Sequence, residues 1–128
     1  MLARLNDRIN RSDRQGGFTL IELLVVIIII GILLAIAVPS YIAFRDRAND
    51  SAAKANVRAA IPGVEAFFAD FSTYGGMTVS FLQTNYDQGI KNITIPTANS
   101  TTYCVQSTVG GKTWRKSGPS EDLTQGVC

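Results

Sequence analysis

The chain has 128 residues, with 12 lysines and arginines against 10 aspartates and glutamates, two cysteines and no histidine. A formal charge of +2 makes no strong basic field, which argues against nucleic acid as the main partner. Without histidine the commonest general base is missing, and the carboxylates are scattered. No phosphate loop or close Cys-x-x-Cys pair replaces them, so the composition points away from an enzyme, a cofactor and a metal centre.

Residues 1–17 are polar and rich in arginine. Arg4, Arg8, Arg11 and Arg14 stand against Asp7 and Asp13, so the whole positive excess lies here and the remainder is formally balanced. Gly16-Gly17-Phe18-Thr19-Leu20-Ile21-Glu22 follows, and then an unbroken apolar run over residues 23–38. Between residues 18 and 38 only Thr19 and Glu22 are polar. As a helix this stretch is about 32 Å long, enough to cross the hydrocarbon core of a bilayer. Basic residues just ahead of such a span stay cytoplasmic and send the rest of the chain outward.

Glu22 is the residue that needs explaining. An acidic side chain in such a segment costs about 2.5–3.5 kcal/mol at the membrane centre, and somewhat less near the interface. A plain membrane anchor leaves it unexplained. So does a secretory signal cut at the small-x-small pattern of Ala35-Ile36-Ala37 to release a chain beginning at Val38. Cleavage between Gly17 and Phe18 would instead create a positive α-amino group one helical turn from Glu22.

Gly-Phe-Thr-Leu-Ile-Glu, set between a short basic leader and a long apolar run, closely resembles the class III signal of type IV pilins and pseudopilins. The resemblance implies removal of residues 1–17 by a prepilin peptidase, which also N-methylates Phe18. It implies that Glu22 pairs with the Phe18 amine of a neighbouring subunit. Residues 18–39 would then be the transmembrane and filament-core helix, and residues 40–128 an amphipathic helix half with a globular β head. The implied partners are further copies in a helical filament, the assembly platform with its ATPase, and the membrane. The precursor would be single-pass with its C-terminus outside, and the assembled pilus extracellular. Gly31 and Pro39 mark the place where this resemblance implies local melting of the helix in filaments.

From residue 40 to about 71 the pattern becomes amphipathic, with Val57, Ile61, Val64, Phe67, Phe68 and Phe71 three or four apart. Alanines favour the helix and close approach, and Pro62 is expected to bend it without ending it. Arg45, Asp46, Arg47, Asp50, Lys54 and Arg58 lie on the other side. They read either as a solvated face or as salt bridges between subunits.

Beyond Tyr74-Gly75-Gly76 the pattern predicts short strands. Residues 77–82 are weakly strand-like, residues 90–95 form a strand ended by Pro96, and residues 101–108 and 112–116 flank a Val109-Gly110-Gly111 turn. Trp114 and Tyr103 are expected to pair across that hairpin, and Ser117-Gly118-Pro119 to open an irregular tail. Cys104 and Cys128 would meet an oxidising compartment, which predicts one disulfide. The fold class is α+β, a long N-terminal helix with a small antiparallel sheet on its second half. Asn92-Ile93-Thr94 and Asn99-Ser100-Thr101 match glycosylation sequons, a pattern common by chance.

The function this implies is a structural subunit of a type IV pilus, serving motility, adhesion or DNA uptake. One alternative is a type II secretion pseudopilin, although that group commonly carries a calcium site in place of a terminal disulfide. Another is a minor pilin whose head binds DNA or a surface ligand through Lys112, Trp114, Arg115 and Lys116. That is the one basic and aromatic cluster in the chain.

Overall fold

A computed structural model of the chain describes residues 19–128. Its elements are α1 (Leu20–Phe71), α2 (Val79–Asn85), β1 (Thr94–Ala98), β2 (Tyr103–Val109), β3 (Lys112–Gly118) and β4 (Leu123–Gln125). The four strands form one antiparallel sheet in the order β1-β2-β3-β4. Two compact units meet after Ile42.

In the first unit, helix α1 presents large apolar side chains on all sides, and none of them is covered. Exposure runs from 48% at Val38 to 85% at Leu20. The helix is continuous through Gly31 and Pro39.

The second unit, Ala43–Cys128, holds the core. Its stretch of α1 buries Ala53, Val57, Ala60, Gly63, Val64 and Phe67, a stripe at three- and four-residue spacing. Against them pack Tyr74, Met77, Leu82, Ile90 and Ile93, together with Tyr103 and Val105 from β2. Burial of each larger aliphatic side chain is worth about 1.5–3 kcal/mol. The stripe differs from the expected one, because Ile61 is only partly buried and Phe68 and Phe71 are exposed. Small residues take the central positions instead. A Cβ on Gly63 would come within 2.7 Å of Ile90 Cδ1, so the glycine is what seats Ile90 against the helix. Helix α1 also runs through Pro62, as expected.

Four local expectations give way to the structure. Residues 77–82 hold not a strand but the start of α2. Thr78 has an extended backbone, and its hydroxyl accepts from Phe81 N, capping the helix. The β-branched and aromatic residues there suggested a strand, but Leu82 is fully buried in the core and that contact decides. Second, β1 begins at Thr94 and carries Pro96 inside it. The strand lies at the sheet edge, and its pairing shifts between Thr94 and Thr97, so the missing N–H breaks no regular ladder. Third, Trp114 lies opposite Ser107 and Tyr103 opposite Gly118, so the two rings do not pair. Tyr103 needs the bare glycine, since a Cβ on Gly118 would sit 2.3 Å from its ring. Fourth, the tail after Pro119 contributes β4, paired with β3 through Trp114–Gln125, Arg115–Thr124 and Lys116–Leu123.

The hairpin between β2 and β3 is the one the sequence predicts. Val109 pairs with Lys112 across Gly110-Gly111, both at positive φ (55° and 80°). Gly110 also abuts α1, where any Cβ would fall 2.1 Å from Asn49 Nδ2.

Candidate functional site

Helix α1 starts with a reciprocal cap. Glu22 N donates to Thr19 Oγ1 and Thr19 N donates to Glu22 Oε2, each at 3.3 Å. This is a capping box, with two otherwise orphaned amides satisfied by side chains and a carboxylate placed at the positive end of the helix dipole. No partner for Glu22 nearby in its own chain is expected from the sequence, yet the Thr-x-x-Glu spacing of Thr19-Leu20-Ile21-Glu22 is the signal that points to Thr19. Glu22 therefore has a partner in its own chain as well as the one expected from a neighbour. The expected cleavage and methylation residues, Gly17 and Phe18, lie outside the described residues.

Further along α1, three acidic side chains accept from aromatic donors of the head. Trp114 Nε1 donates to Asp50 Oδ1 at 2.7 Å. Tyr74 OH and Tyr103 OH converge on Glu65, at 3.2 Å and 3.4 Å. Tyr86 OH donates to Asp70 at 2.5 Å. Charged acceptors make these bonds stronger than neutral ones. Burial, and then the nearby Glu65 carboxylate, push the Tyr74 and Tyr103 phenols above their ordinary range. The hydrogen bond to Asp70 leads in pushing Tyr86 up to about 12.

The basic and aromatic cluster is not one surface. Strand alternation puts Lys112, Trp114 and Lys116 on one side of β3 and Arg115 on the other. The Trp114 indole is engaged with Asp50, and Lys54 Nζ lies over its ring, 4.8 Å from the centroid. Arg115 ties the chain end to the sheet, donating to Thr124 Oγ1 at 3.2 Å and to Val127 O at 2.6 Å. Lys116 donates to Glu121 O at 2.5 Å, which closes the β3–β4 turn.

Cys104 and Cys128 are joined as a disulfide, their Cα atoms 5.9 Å apart across a sequence separation of 24. Cys128 N also donates to Gln106 Oε1 at 2.8 Å. Among the described residues no group of three or more His, Cys, Asp or Glu side chains is placed to hold a metal. A capped apolar helix with no cover, and a small clasped sheet, form an arrangement for packing.

Residues 12–38 match the family model described as the prokaryotic N-terminal methylation motif. The chain is 34% identical over 110 residues to the type IV wide pilus major component PilA4 of Thermus thermophilus, covering 84% of each chain. It is 46% identical over 68 residues to the type IV major pilin protein PilA of Myxococcus xanthus, covering 52% of this chain but only 31% of that one. A shorter match, 38% over 61 residues, joins it to the type II secretion system core protein G of Pseudomonas aeruginosa, at 48% of this chain and 43% of that one. The similarity to the Thermus protein extends past the apolar helix into the head. The chain belongs to the type IV pilin family.

Proposed function

We propose that the protein is a structural subunit of a type IV pilus filament. The observation that carries this reading is the uncovered apolar half of α1, capped by Thr19 and Glu22 at its start. Such a surface calls for lipid before assembly and for other copies of the same helix afterwards. Residues 1–17 are the leader, removed after Gly17, and Phe18 becomes the methylated N-terminus. Its positive amine pairs with Glu22 of a neighbour, which draws the carboxylate away from the Thr19 amide of its own chain. Apolar burial supplies the attraction, and a Glu22 without an amine penalises packing out of register. One surface meeting a different surface on the next copy gives an assembly that grows without closing. The peptidase and the assembly platform with its ATPase act on the chain from the membrane, and the head faces outward. The match to core protein G stops at about half of each chain, whereas the Thermus pilin match runs through most of both, which supports the pilin over the pseudopilin reading.

The test is intact mass and N-terminal fragmentation of the protein purified from its own cells. The expected species begins at N-methyl-Phe18 and is two hydrogens lighter than the dithiol. A chain beginning at Met1 or at Val38 would remove the filament reading.

A further inference from the structure

The charges on the second half of α1 are used unevenly. Asp50 and Glu65 are occupied by Trp114, Tyr74 and Tyr103, none of them a cation. Lys54 is drawn over the Trp114 ring. Arg47 and Arg58 are exposed, and among the described residues neither guanidinium has an acceptor. Eleven residues at 3.6 per turn bring the two back to nearly one face, about 16 Å apart along the axis. The head thus takes up Asp50 and Glu65, and among the described residues Arg47 and Arg58 are given no acceptor.

Beyond residue 17 the chain is formally balanced, so matching acids must stand elsewhere. Asp87 is held by its own loop, accepting from Gly89 N at 2.8 Å. Asp46 sits on α1 among the arginines. Glu121 and Asp122 stand off the helix in the β3–β4 turn, where both are exposed. Lys116 grips only the Glu121 backbone carbonyl, fixing the turn and leaving the carboxylates without a cation.

We infer that Arg47 and Arg58 are the docking surface for the Glu121–Asp122 turn of a second copy of this chain. The cationic face and the acidic turn are different patches, as a head-to-tail contact requires. Because Asp50, the acid one turn from Arg47, is already taken by Trp114, that cation is not neutralised through it before a neighbour arrives. The inference rests on the filament reading and adds a second register contact to the one at Glu22.

Charge exchange in the full chain, expressed in its own cells, tests it. R47E with R58E, and separately E121K with D122K, should each lower surface filament mass by roughly tenfold or more, since like charges then face each other. Combining all four substitutions should recover most of the loss. The disulfide in membrane-held precursor, read by intact mass, keeps folding separate from assembly. Normal filaments from either charge-reversed pair, or loss from both pairs with no recovery in the combination, would overturn the docking while leaving the filament reading intact. Wild-type cells that retain the Met1 form and make no filament would overturn both.

Discussion

Residues 20–42 and residues 43–71 belong to one unbroken helix but treat their apolar surface differently. In the first stretch no large apolar side chain is less than 48% exposed, whereas in the second Ala53, Val57, Ala60 and Val64 are fully buried. Gly31 has nothing within reach of an added Cβ, while Gly63 is pressed by Ile90. The β-branched first stretch has little helix propensity of its own, the alanine-rich second has more, and tertiary packing within the chain supports only the second. The core is built in the second unit, and the first stretch is left uncovered within the chain.

Substitutions sharpen that division by acting on one side of it. The largest effect is expected from Glu22→Gln. If the neighbour's amine is left buried without its carboxylate, the cost of about 3–5 kcal/mol corresponds to roughly 10²- to 4 × 10³-fold in assembly. Filament counts should collapse while the precursor keeps its disulfide, and abundant filaments in the variant would contradict the assigned pairing.

Leu82→Ala acts on the other side. Emptying a fully buried leucine site should cost the head about 2–5 kcal/mol, read by denaturant unfolding of the full chain in detergent, with the proposed cleavage after Gly17 unchanged. Opening the Cys104–Cys128 loop by paired serine substitutions should cost about 3.5 kcal/mol in the chain-entropy account, measured the same way. Gly110→Val places a side chain at positive φ against Asn49 and should cost about 1–3 kcal/mol, visible as a lower melting temperature.

The smallest effect is one of pH. Tyr74, Tyr86 and Tyr103 all resist ionisation in the fold, so an unfolded chain gives up these protons first as pH rises. Their contribution is intact below the ordinary tyrosine value near 10 and declines as pH climbs from there towards about 12, where Tyr86 ionises in the fold. Unfolding midpoints at pH 9, 10.5 and 11.5 should fall in that order, and Tyr86→Phe should flatten the slope.

The apolar run was legible because membrane-crossing helices obey length and composition, and α1 because its stripe repeats at helical period. The Gly110-Gly111 hairpin was legible because its turn demands positive φ. What escaped was set by contacts distant in sequence. Helix α2 depends on Leu82 reaching the core, and the position of Trp114 on Asp50 joins residues 64 apart. Strand β4 has three residues and no pattern of its own, and it exists because β3 offers an edge. Of the candidate site, Glu22 was conspicuous as a charge in an apolar run. Its local partner Thr19 stands three positions earlier, at the spacing of a capping box. Arg115 reads as a ligand-binding cation in sequence because nothing local discloses that Thr124 and Val127 occupy it.

The aromatic ties to Asp50, Glu65 and Asp70 bear on how the protein meets changing surroundings. Each has a single charged partner at hydrogen-bond distance, so dissolved ions have little long-range attraction to screen. A contact between opposite charges on separate copies is open to screening, since the Debye length is only about 8 Å near 0.15 M salt. On the proposed arginine–carboxylate docking, salt would therefore weaken that one contact between copies and leave the architecture of each head alone.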